Sequence, residues 1–140
     1  MTLQERFNGF YQTLDLESLQ GLGQIYHSNV TFADPVAVHQ GRLALDAYFR
    51  KLLKGCEECS FVIRDQIFGD SQGFVNWTMT FSSPRLNGGQ PIDVDGSSVL
   101  AIRDDRIEFQ RDYYDMGAMV YEQLPILGAI VRYIRGRMAA

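Results

Sequence analysis

Residues 92–103 read Ile92-Asp93-Val94-Asp95-Gly96-Ser97-Ser98-Val99-Leu100-Ala101-Ile102-Arg103. The even positions, Ile92, Val94, Gly96, Ser98, Leu100 and Ile102, are apolar or small, while Asp93, Asp95, Ser97 and Arg103 are polar. Side chains of a strand alternate between two faces, so this pattern predicts one continuous strand over Ile92–Ile102 with even positions buried. The same period of two runs through Phe61–Phe68, Phe74–Phe81 and Ile107–Tyr114, with Gly, Asp, Ser or Asn clusters between the runs. Four long antiparallel strands follow, with one face buried and the other wet.

Upstream the period lengthens. Leu3, Phe7, Phe10 and Leu14 recur at helical spacing, and Leu19, Leu22 and Tyr26 do so again after a break at Asp15-Leu16-Glu17-Ser18. Asn29-Val30-Thr31-Phe32 reads as a short strand ending at Asp34-Pro35, because the residue before proline is pushed out of the α region. A third helix starts near Arg42, with Leu45, Tyr48, Phe49 and Leu52 on one face and Gly55 placed to cap it. Leu124–Met138 reads as a closing helix with Pro125 in its first turn. Helices first and a one-face-buried sheet after is the α+β pattern.

The 140 residues are 46% hydrophobic and 21% charged, with no repeat or linker, so a single domain over 1–140 is expected. A chain of this length buries enough surface to need no disulfide or structural metal. Its net charge of -4 is the wrong sign for phosphate backbones or anionic lipid, so no nucleic-acid partner is expected. The start MTLQERFNGF lacks a cationic n-region and apolar run, and no membrane-length apolar stretch occurs, so a cytoplasmic location is the default expectation.

Val30-Thr31-Phe32-Ala33-Asp34-Pro35-Val36, followed by Gly41 and Ala44-Tyr48-Phe49, resembles the SnoaL-like branch of the nuclear-transport-factor-2-like, or ketosteroid-isomerase-like, superfamily. Arg106-Ile107 leading into Arg111-Asp112-Tyr113-Tyr114-Asp115 is similar to the last-strand signature of that superfamily. The resemblance implies a cone-shaped, strongly curved, mostly antiparallel sheet packed on N-terminal helices, with a C-terminal helix and an apolar pocket in the open end. It also implies a homodimer through the open sheet face, where Val99 and Ala101 lie among polar outward positions.

Within that resemblance Asp34 matches the general base of the ketosteroid isomerases, and Asp112 the pocket carboxylate of SnoaL-type cyclases and limonene epoxide hydrolases. These are the two candidate catalytic residues. The isomerases' oxyanion donors fall on Phe10, which has no hydroxyl, and Ser98, a neutral hydroxyl; Tyr11, next to Phe10, is expected to point elsewhere. The cyclases' histidine also falls on Ser98, and the hydrolases' Arg-x-Asp pair falls in the uncharged strand Phe74–Phe81. Each aspartate has a plain alternative: Asp34 as an Asx-turn residue before Pro35, and Asp112 as a structural residue paired to Arg111 or to a neighbouring strand. If Ile107 and Phe109 look inward, strict alternation turns Asp112 outward, and a β-bulge near Glu108 or Phe109 turns it back. Two carboxylates facing one apolar cavity would split into an acid and a base near neutral pH.

Trp77, Met79, Phe81, Leu100 and Tyr114 are the expected apolar wall, with Phe10, Ser98, Gln110 and His39 as further ligand-lining candidates. The implied function is binding of a small hydrophobic molecule, with proton transfer of the isomerase, cyclase or hydrolase kind on it. The alternatives are ligand binding without catalysis, or a dimeric interaction module. No cofactor or metal is expected, since Cys56-Glu57-Glu58-Cys59 lacks a second ligand pair and follows a helix end instead of opening a helix. Arg132, Arg135 and Arg137 interleave with Ile130, Val131 and Ile134, and this amphipathic helix is expected to close the cone or a dimer without membrane contact. Asp115 is expected to cap the last helical segment.

Overall fold

The computed structural model describes all 140 residues. Helix α1 (Leu3–Gln12) is capped by Thr2, whose hydroxyl accepts from the Glu5 N–H at 3.1 Å. It buries Leu3, Phe7, Phe10 and Tyr11. Ser18–Gln24 forms a 3-10 helix that buries Leu19 and Leu22. Tyr26 does not continue it, but opens strand β1 (Tyr26–Ala33). Gly21 and Gly23 explain the difference from the expected helix, because glycine gives up backbone entropy that no helical packing here returns.

Strand β2 (Val38–Gln40), absent from the sequence expectation, pairs antiparallel with β1 across the Asp34–Ala37 turn. Gly41, at φ 89°, then admits the chain to helix α2 (Arg42–Gly55), which buries Leu45 and Phe49. Gly55 is the last helical residue, and Cys56 beyond it is extended.

Strands β3 (Glu58–Phe68), β4 (Gln72–Ser82), β5 (Ile92–Arg103) and β6 (Arg106–Tyr114) form the expected antiparallel meander. In β5 the residues Ile92, Val94, Ser98, Leu100 and Ile102 are buried and Asp93 and Asp95 exposed, as the alternation requires. Asp104 and Asp105, both at positive φ, make its two-residue turn into β6. The six strands lie in the order β2-β1-β6-β5-β4-β3, with β1–β6 the one parallel pair. The sheet is curved and does not close on itself. Register shifts interrupt β1–β6, β3–β4 and β5–β6, and such irregularities bend and twist a sheet.

The concave face and the helices enclose one hydrophobic core, in which Phe7, Tyr26, Leu45, Leu100 and Ile107 are essentially inaccessible. Asp115 caps the short helix α3 (Met116–Met119), accepting from the N–H groups of Gly117 and Ala118. Helix α4 (Pro125–Ala139) packs chiefly on the Tyr121–Gln123 turn, so of its two expected roles, closing the cone or closing a dimer, it does not take the first. No helix is long and apolar enough to cross a membrane.

Candidate functional site

Ala101 pairs with Phe109 while Ile102 pairs with Ile107, so Glu108 is an extra residue in β6. This bulge inverts the parity of the strand. Phe109, expected to look inward, lies opposite Ala101 on the outer side, while Gln110 is almost wholly buried and Asp112 faces Ser98.

Two donors converge on one oxygen of Asp112. The Ser98 hydroxyl donates to Oδ1 at 2.6 Å, and the Gln110 amide donates to the same atom at 2.9 Å. Behind Ser98, the indole N–H of Trp77 donates to its Oγ at 2.9 Å. Behind Gln110, the Tyr26 hydroxyl donates to Oε1 at 2.7 Å, which leaves the Tyr11 hydroxyl to donate to Tyr26 at 2.6 Å. Oδ2 of Asp112 makes no hydrogen bond, so one side of the carboxyl is fixed and the other is available. Burial pushes the Asp112 carboxyl up to about 6, helped by the charge of Asp34 and opposed by the bonds from Ser98 and Gln110. Such a group exchanges a proton readily near neutral pH.

Tyr11 was expected to point away, yet it is buried. The inward arc of a helix is wide enough to take neighbours such as Phe10 and Tyr11 together. Burial raises the phenols of Tyr11 and Tyr26 above their ordinary value, so both stay protonated as donors in this chain. Helical spacing places Tyr26 on a helix, so the sequence pattern does not bring it to Gln110. The network's one legible signal is polar Gln110 and Ser98 inside otherwise apolar strands.

Around the carboxyl lies a void of about 10 Å³, lined by Phe7, Tyr11, Phe61, Ile63, Trp77, Ser98, Gln110 and Asp112. That is space for one water molecule. Of the expected lining residues, it brings together Trp77, Ser98, Gln110 and Asp112. Phe10, Met79 and Leu100 instead pack in the core. The Tyr114 ring stands 6.2 Å from that of Trp77, half-buried.

Asp34 sits apart from this void. Its Oδ1 accepts from the N–H groups of Val36 and Ala37 at 2.9 and 3.0 Å, which is the Asx turn, and its Oδ2 accepts from the Tyr48 hydroxyl at 2.8 Å. Tyr48 stacks on His39 with ring centroids 4.2 Å apart. With both oxygens engaged, Asp34→Ala leaves three donors without their acceptor and should lower stability by about 1–3 kcal/mol, whereas Asp34→Asn keeps Oδ1 as acceptor for the two N–H groups and offers Nδ2 as a donor to the Tyr48 hydroxyl, and so should cost less. Denaturant unfolding of the two variants checks this, and equal losses would count against the turn role.

His39 and Phe81 line a different feature, an open apolar groove of about 710 Å³ between α2 and the Val36–Ala37 turn, bounded also by Leu52, Cys56 and Leu86. Burial pushes the Cys59 thiol up to about 12 and raises that of Cys56, so neither is an activated thiolate.

A curved, unclosed sheet wrapped on helices, with a carboxyl held inside its concave face, defines the cone-shaped α+β class of the ketosteroid-isomerase-like proteins. The chain belongs to the SnoaL-like domain family, whose model matches residues 7–109. Among solved structures it is similar to a hypothetical protein of ketosteroid-isomerase-like fold from Catenulispora acidiphila, determined with trimethylamine. That likeness is 17% identity over 89% of this chain and 96% of the other, with a TM-score of 0.73. A SnoaL-like polyketide cyclase from Agrobacterium tumefaciens is 11% identical over 85% and 95% of the two chains, with a TM-score of 0.72. TsrD from Streptomyces laurentii is 19% identical over 91% and 92%, with a TM-score of 0.70. At these identities the likeness is one of fold, which hosts many chemistries. No curated protein matches the chain.

Proposed function

We propose that the protein binds a small, mostly apolar molecule inside the cone and exchanges a proton with it through Asp112. The observation that carries this reading is the Asp112 carboxyl, raised to about 6, with Oδ1 anchored by Ser98 and Gln110 and Oδ2 unbonded. A group with that value is partly protonated near neutrality and serves as acid or base. Trp77 positions Ser98, and Tyr26 positions Gln110. In the closed state the void admits a water. A ligand therefore enters by displacing the half-buried Phe61 and Ile63 of the edge strand β3.

The test is native mass spectrometry of the purified chain, followed by NMR-detected proton exchange on whatever small molecule is retained. Asp112→Asn should lower the exchange rate by roughly 10²–10⁴-fold while retaining the ligand. Exchange unchanged in the variant would remove the catalytic role. Binding without catalysis is the second reading, favoured by a void no larger than a water and by Ser98 standing where a cyclase histidine is expected. It predicts that a ligand is retained and that neither protein exchanges a proton with it.

A homodimer through the outer sheet face belongs to the same reading. Val62, Phe74 and Tyr113 are about half exposed on that face. A contact there should bury at least about 1,000 Å² in total. Phe74→Glu should remove this contact and lower the mass seen by light scattering relative to the unmodified chain, and an unchanged mass, or a monomeric unmodified chain, would remove the expectation.

A further inference from the structure

Helix α4 is attached to the body by its polar side. Gly128 is buried against the Glu122 carbonyl, Arg132 donates to that same oxygen, and Arg135 bridges Glu122 and Asp115 at 2.7 and 3.1 Å. Its apolar stripe consequently faces away from its own domain, with Ile126, Tyr133 and Met138 exposed by 79%, 68% and 83%. Ile130 and Ile134, one turn apart in the middle of that stripe, are each about half exposed. Five large apolar side chains exposed side by side on one helix face form a contiguous patch, where a monomer ordinarily exposes such residues singly.

The same chain carries an uncovered apolar surface of opposite shape. The groove beside α2 is floored by Ala44, Ala47, Leu52, Phe81 and Leu86, and its small residues let a helix approach closely. Glu57 and Glu58, exposed and without ion pairs, directly follow Cys56 of its lining and outnumber Lys51, the one lysine or arginine that lines it, while Arg137 on α4 has no acidic partner either. We infer that α4 of one copy docks its apolar stripe into the α2 groove of a second copy, with Arg137 meeting Glu57 and Glu58. The ties to Asp115 and Glu122 turn the helix away from its own groove, and reciprocal exchange between two copies covers both faces on both chains. This contact is independent of Asp112, and of any pairing of sheet faces.

Cys56 lies in the groove and supplies a native reporter. One full-length chain carries Cys56→Ser with Ile130→Cys, another Cys56→Ser with Ile134→Cys, so that two turns of the helix are sampled. Each is mixed with the unmodified chain and mildly oxidised. The expected product is a covalent pair of chains in which peptide mapping joins the introduced thiol to Cys56. Ala47→Glu in the unmodified chain places a charge in the groove at an exposed site and should abolish that product. The inference is overturned if neither position cross-links to Cys56 of the other chain, or if the introduced thiols pair only with each other. It also falls if Ala47→Glu leaves the yield unchanged, or if a chain with Ile134→Cys that keeps its own Cys56 forms the bond only within itself. Running the mixture in the Phe74→Glu background separates this contact from the sheet-face dimer.

Discussion

Asp112→Asn should make the protein more stable at pH 8 and, at the same time, remove the proposed proton exchange. The acid's value rises from the ordinary 3.8 to about 6 in the folded chain, chiefly through burial. Between those two values the native state holds a proton that the unfolded chain has released. Stability therefore falls as pH rises through that window, and the penalty is complete above it. Each unit is worth about 1.4 kcal/mol, giving a ceiling of about 3 kcal/mol, which solvent reaching the half-buried residue reduces to about 1–2 kcal/mol. Asparagine keeps a carbonyl oxygen for the Ser98 and Gln110 donors and has no charge to bury. Denaturant unfolding at pH 4 and pH 8 should give nearly equal stabilities for the two proteins at the lower pH and a gain for the variant at the higher. A loss at pH 8, or the same difference at both, would show that the carboxyl is not held in a raised state.

Gly96→Ala should destabilise the fold by about 1–3 kcal/mol through overpacking, although alanine ordinarily suits a strand better than glycine. Gly96 pairs with Trp77 across β4 and β5, and a Cβ there would lie 2.2 Å from Cη2 and 2.5 Å from Cζ2 of the indole. The ring has little freedom to retreat. Its N–H is bound to Ser98, Phe61 packs on it at 5.4 Å, and Tyr114 stands at 6.2 Å. Displacing it would also loosen the Ser98 hydroxyl that holds Asp112. Trp77 is the sole tryptophan, so its emission should shift to the red in step with the loss of stability. In a Trp77→Leu background the same alanine should be nearly neutral, a coupling of about 1–3 kcal/mol in a double-mutant cycle. Unchanged emission and stability in the single variant would mean that the indole does not rest on Gly96.

The two effects come from one piece of structure, the line from Gly96 through Trp77 and Ser98 to Asp112. Its members were legible to different degrees. Trp77 and Ser98 sit on inward positions of strands whose alternation is unbroken, so counting by twos places them correctly. Asp112 follows a strand in which counting by twos fails, because Glu108 is an extra residue whose presence depends on the neighbouring strand. Tyr26 and Tyr11, which complete the hydrogen-bond chain, were placed wrongly by helical spacing. Three apolar residues at that spacing do not reveal that the segment is a 3-10 helix ending at Gln24 or that β6 recruits Tyr26 into the sheet.

By itself the sequence determined the α+β class, the four long strands, the N-capping role of Asp115, and which faces of β4 and β5 are buried. These follow from local periodicity and local hydrogen bonding, which act within a few residues and do not depend on the rest of the chain. Only the tertiary structure decided that Asp112 points inward, that Asp34 is spent on a turn and on Tyr48, and that the interior holds a water-sized void. It also decided that α4 turns its apolar side away from its own domain. Each of these depends on strand register or on contacts between residues far apart in the chain. A one-residue shift in register or a single distant ion pair reverses the outcome without altering the local pattern.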